Sequence, residues 1–81
     1  MKHLNKVIKI LEHENLTSTQ KIVLIGLEVT KASEGISFNE LAFYTSLTRK
    51  TVITNLNKLE TEGFIEVSRN GTKTNAYKVT L

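Results

Sequence analysis

Residues 36–67, ISFNELAFYTSLTRKTVITNLNKLETEGFIEV, contain the changes of pattern that decide the fold. Ser37 with Glu40 makes a capping box, which predicts a short helix over residues 38–45 with Leu41 and Ala42 inward. Residues 46–48 separate it from a second helix, which Thr48 can cap and which runs to about residue 62. Val52, Leu56 and Leu59 fall at the spacing of one buried line on that helix. Gly63 then stands where a left-handed C-terminal cap is expected. Beyond it the period drops from about 3.6 to 2, and Ile65 and Val67 alternate with Glu66 and Ser68.

The alternation resumes in Tyr77, Val79 and Leu81, after a polar stretch that includes Asn70 and Gly71. A two-residue turn at Asn70 and Gly71 would pair Val67 with Thr74. Pairing Val67 with Tyr77 and Ile65 with Val79 keeps the large apolar residues on one face, and register follows the buried face. A hairpin with a longer loop centred on Thr72 is therefore expected. Upstream, Thr17 with Gln20 is a second capping box and opens a helix over residues 18–32. Its apolar residues fall on two sides, Ile22, Ile25, Gly26 and Val29 against Val23, Leu27 and Thr30, as in a helix central to its domain. Over residues 2–14, Leu4, Val7, Ile8 and Leu11 make one stripe of an amphipathic helix, with Ile10 on its edge.

Composition narrows the function classes. The 81 residues include no cysteine, which excludes disulfides, zinc ribbons and thiol catalysis. No apolar run approaches the roughly 18 residues of a membrane span. Lysines interrupt the apolar residues of the N-terminus, unlike a signal peptide, so a cytoplasmic protein is expected. Residues 1–40 carry five lysines and five glutamates, whereas residues 41–81 carry six basic side chains against three glutamates. The whole net charge of +3 thus sits in the second half, which suggests a polyanionic partner.

A short helix, a three-residue turn and a longer helix match a helix-turn-helix, and the hairpin behind them would be a wing. Residues 17–81 resemble the winged helix-turn-helix of MarR-type regulators. The stretches that carry this likeness are LTSTQKIVLIGL, ISFNELAFYTSLTRKTVITNLNKLETEGFIEV and NAYKVTL, about four-fifths of the chain. The resemblance implies an α+β, mostly α fold with residues 1–81 as one domain. Residues 1–15 would be an N-terminal helix, 17–63 the helical core and 64–81 the wing. Full-length regulators of that family carry further dimerising helices after the wing, and this sequence ends at Leu81 with no room for their effector pocket. What the resemblance implies is the DNA-binding core, without response to a small-molecule effector.

With Val52, Leu56 and Leu59 inward, Lys50, Thr54, Asn57 and Thr61 fall on the opposite side, flanked by Thr51 and Lys58. Asn can pair bidentately with adenine, Lys can donate to guanine, and a Thr methyl can touch thymine, so Asn57 is the first base reader expected. Arg49 and Lys50 occupy a first helical turn, where cations gain nothing from the helix dipole and an external anion is favoured. Thr45, Ser46 and Thr48 can donate to phosphates, or simply cap helices. Arg69 and Lys73 flank the wing tip, within reach of a minor groove or its backbone.

The remaining constellations point away from catalysis. His3 and His13 face different ways around the first helix, there is no aspartate, and no glycine-rich phosphate loop is present. No metal or cofactor is expected. Phe38, Phe43, Tyr44, Phe64 and Tyr77 are expected to fill the core, Tyr44 being the nearest to the turn. The apolar stripe of the first helix points to a homodimer through that helix, since the rest of the domain is complete from Thr17 onward. Sequence-specific binding of double-stranded DNA by a small transcription regulator is the leading expectation. A DNA-binding module of a phage or plasmid replication protein is the nearest alternative. A winged helix that contacts only proteins is the alternative of another class.

Overall fold

A computed structural model describes residues 2–69 and 74–81 of the chain. Four α-helices, one short 3-10 helix and a two-stranded antiparallel sheet follow in the order α1 (Lys2–Glu12), α2 (Ser18–Val29), the 3-10 turn (Ala32–Glu34), α3 (Phe38–Thr45), α4 (Arg49–Thr61), β1 (Ile65–Arg69) and β2 (Asn75–Val79). The fold is therefore α+β and mostly α. No helix among the described residues is long and apolar enough to cross a membrane.

Both capping boxes form. Thr17 accepts from the Gln20 backbone N–H while Gln20 Oε1 accepts from Thr17 N–H, and Ser37 and Glu40 exchange the same pair of bonds. Each box satisfies two of the N–H groups a helix start leaves without partners. Gly63 takes φ +84°, the left-handed turn that ends α4. Ile65 pairs with Val79 and Val67 with Tyr77, the register that keeps the apolar side chains on one face.

The core gathers around α2, which packs against α1, α3, α4 and β2. Val23, Leu24 and Leu27 of α2 meet Leu41 of α3, Val52, Leu56 and Leu59 of α4, and Ile65, Tyr77 and Val79 of the hairpin. Gly26 permits the close approach of α3. A Cβ there would stand 3.0 Å from Thr45 Cγ2 and 3.1 Å from Leu41 Cδ1. Ile36 bridges to Asn75, so the segment before α3 lies along the edge of the hairpin.

Three expectations are corrected. The second helix ends at Val29 rather than at residue 32. Thr30 turns its hydroxyl onto Gly26 O at 2.6 Å, and Lys31 adopts a left-handed conformation. That reversal buries Ala32 as the chain turns toward Ile36. In α1 the buried residue is Ile10, fully enclosed, while Leu4, Ile8 and Leu11 are about half exposed. Lys6, one turn before Ile10, lies on the same side of α1, and its ammonium donates to Val79 O at 2.7 Å. Its aliphatic stem occupies the side of the helix that a purely apolar count assigns to solvent. Finally, Phe43 and Tyr44 are exposed, at 79% and 62%, and are not core residues. Phe43 lies two positions from buried Leu41, about 200° around α3, and so faces away from the interior.

Candidate nucleic-acid interface

Thr45, Ser46 and Thr48 shape the turn that aims α4. Ser46 sits in a left-handed conformation (φ 59°, ψ 26°) and its N–H reaches the last carbonyls of α3. Thr45 donates its hydroxyl to Leu41 O at 2.7 Å. Thr48 accepts from the Thr51 backbone N–H at 3.2 Å and donates to the Thr51 hydroxyl at 2.9 Å. The hydroxyl protons of two of the three groups expected at phosphates, Thr45 and Thr48, are therefore donated within the chain, whereas the Thr51 hydroxyl accepts from Thr48. Leu47 anchors the turn by packing against the core.

α4 presents the face its spacing predicts. Val52, Leu56 and Leu59 are buried, and Arg49, Lys50, Thr54, Asn57, Lys58 and Thr61 are exposed. No acidic residue lies in the first turn, so the backbone N–H groups and two cations share that end of the helix. The Arg49 guanidinium stands 5.4 Å from the centroid of the Phe38 ring, which ties the start of α4 to the start of α3. Asn55, on the flank, donates to Thr51 O at 2.8 Å and is a helix-surface residue rather than part of the exposed line.

The hairpin closes one side of this face. Arg69 of β1 forms a bidentate pair with Glu60 of α4, at 2.8 and 3.0 Å, with both groups reaching solvent. The hydrogen bond from Arg69 holds the Glu60 carboxyl below its usual range, and Glu60 in turn raises the arginine. Arg69 is thus turned back onto α4. Lys73 lies outside the described residues. Between α4 and the hairpin runs a cleft of about 170 Å³, lined among others by Asn57, Glu60, Arg69, Asn75 and Tyr77. Asn75 donates to the Tyr77 hydroxyl at 3.4 Å, and burial raises that phenol above its ordinary value.

Glu60 and Asn75 join the site without having been singled out from sequence, and Tyr77, expected in the core, is buried and also lines the cleft. Glu60 lies three residues after Asn57, and the hairpin register alone places Asn75 opposite Arg69. The docking of the hairpin on α4 is a tertiary contact and leaves no local signature. His13 makes a structural contact elsewhere, its ring edge-on to Phe64 at 5.1 Å while it accepts from Asn15 N–H. No family model, curated protein or solved structure matches this chain.

Proposed function

We propose that the chain is a winged helix-turn-helix domain that binds double-stranded DNA sequence-specifically, as a small transcription regulator. α4 enters the major groove, and the hairpin acts as the wing. The observation that carries this reading is the exposed line Lys50, Thr54 and Asn57, which contains no acid and lies opposite the buried Val52, Leu56 and Leu59. Arg49 and Lys58 flank it and supply phosphate contacts. Arg69 contributes by fixing the wing to α4, a positioning role that leaves Lys73 as the wing's phosphate contact. The reading involves no catalytic step, cofactor or effector.

The domain acts as a homodimer that uses α1, whose Leu4, Ile8 and Leu11 stand uncovered. The chain measures 33 × 24 × 23 Å, so two copies about a two-fold axis can present their α4 helices one turn of DNA apart, roughly 34 Å. The test uses a preferred duplex enriched from a random pool. Asn57→Ala should lose about 1–3 kcal/mol on that duplex while binding to random duplex hardly changes. An unchanged ratio of specific to random binding would remove α4 from the major groove.

A further inference from the structure

Among the described residues, seven large apolar side chains stand between 43% and 79% exposed, and they fall on α1, α2 and α3, with none on α4. Leu4, Ile8 and Leu11 form a stripe on α1 at the i, i+4, i+7 spacing of a helix that docks into a groove. Ile22, Val29 and Tyr44 line such a groove. It measures about 290 Å³ between α2 and α3, with Gly26 at its floor and Thr30 and Thr45 at its rim. Phe43 stands beside the groove, outside its lining, with its ring edge-on to Tyr44 at 5.5 Å. No charged residue lines the groove, so it offers nothing to a phosphate or an acidic peptide.

Stripe and groove border the same helix. α2 lies between α1 and α3, which make no contact with each other among the described residues. Size decides what can cover them. The α1 stripe alone stays within the few hundred Å² that an ordinary monomer leaves uncovered. Phe43 and Tyr44 add on the order of 300 Å². Stripe and groove together approach the roughly 800 Å² that each partner buries in a standard interface. Neither element alone is large enough for a stable dimer.

We infer that the groove between α2 and α3 receives the α1 stripe of a second copy of this chain, and that the exchange is reciprocal about a two-fold axis. This deepens the dimer proposed above, because it specifies a stripe-in-groove contact in place of two α1 helices meeting each other. A two-fold interface must be self-complementary, and one helix and one groove per copy satisfy that requirement twice. The arrangement leaves Lys50, Thr54 and Asn57 of both copies uncovered.

Complementation in sedimentation, run without DNA, tests it. Ile8→Glu damages the stripe and Val29→Lys damages the groove, both at exposed positions, and circular dichroism checks that each stays folded. Wild type should be dimeric at tens of micromolar, and each variant alone should be monomeric there, with affinity down tenfold or more. An equimolar mixture should recover the dimer, because one stripe and one groove remain intact and face each other while the introduced Glu meets the introduced Lys. Tyr44→Ser, a second groove variant, should weaken the dimer in the same direction. A monomeric wild type, a dimeric single variant, or a mixture that stays monomeric would each overturn the inference. Binding of the monomeric variants to random duplex reports separately on the DNA reading.

Discussion

α4 is enclosed by α2, α3 and β1, whereas α1 leans on α2 and reaches the hairpin through Lys6. The two helices are nearly equal in length, 13 and 11 residues, and both are amphipathic. In α4 every residue on the apolar line is buried and every residue opposite it is polar. In α1 the residue at the centre of the contact is Ile10, and the apolar stripe beside it stays open. Enclosure explains the difference. A helix with neighbours on several sides has its apolar face covered by its own chain. A helix on the rim has one line of contact, and any apolar surface beyond that line must be covered by something else or remain exposed.

The largest test of this contrast lies within α1. Ile10→Lys places a charge in the core and should leave the chain unfolded at room temperature, whereas Leu11→Lys, one position on, should change the stability of the single copy, measured at concentrations too low for dimers, by no more than about 0.5 kcal/mol. Ile10→Ala and Leu59→Ala should each lose about 2–5 kcal/mol, which would make the rim helix and the enclosed helix equal at their buried centres. Chemical denaturation of the four variants measures all of these. Equal effects at Ile10 and Leu11 would mean that α1 packs differently.

A smaller effect sharpens the contact between α4 and the hairpin. Glu60 is held below its usual range by Arg69, so the pair favours the folded state above the unfolded carboxyl value and loses that contribution as pH falls through the lowered one. Arg69 remains charged throughout, so the change belongs to Glu60 alone. Both groups reach solvent, and added salt should weaken the effect. A stability profile in acid should show a shallower loss for Glu60→Gln than for the natural chain. Identical profiles would assign the pair no role in holding the hairpin.

The extent to which sequence foretold these features follows the same contrast. Both capping boxes, the turn at residues 46–48, the buried line of α4, Gly63 and the strand register are governed by local spacing or by the single buried face of a hairpin. Lys6 defeated the same reasoning in α1, because a long aliphatic stem can cover apolar surface while its ammonium finds a distant carbonyl. The end of α2 at Val29 depended on Lys31 taking a left-handed conformation with no glycine there to announce it. Within the candidate interface, the exposed line of α4 was legible from periodicity. The Glu60 and Arg69 pair was not, since it joins two elements whose mutual docking is tertiary.

Whether the polar face of α4 meets DNA is tested most directly by titrating random duplex with the intact chain at several salt concentrations. Arg49, Lys50, Lys58 and the wing neutralise about four phosphates per copy in this account, so for the dimer the logarithm of the binding constant should fall with the logarithm of salt at a slope of roughly −7, about half of it from each copy. A flat dependence, or no binding at low salt, would contradict it and leave α4 as a surface for proteins alone.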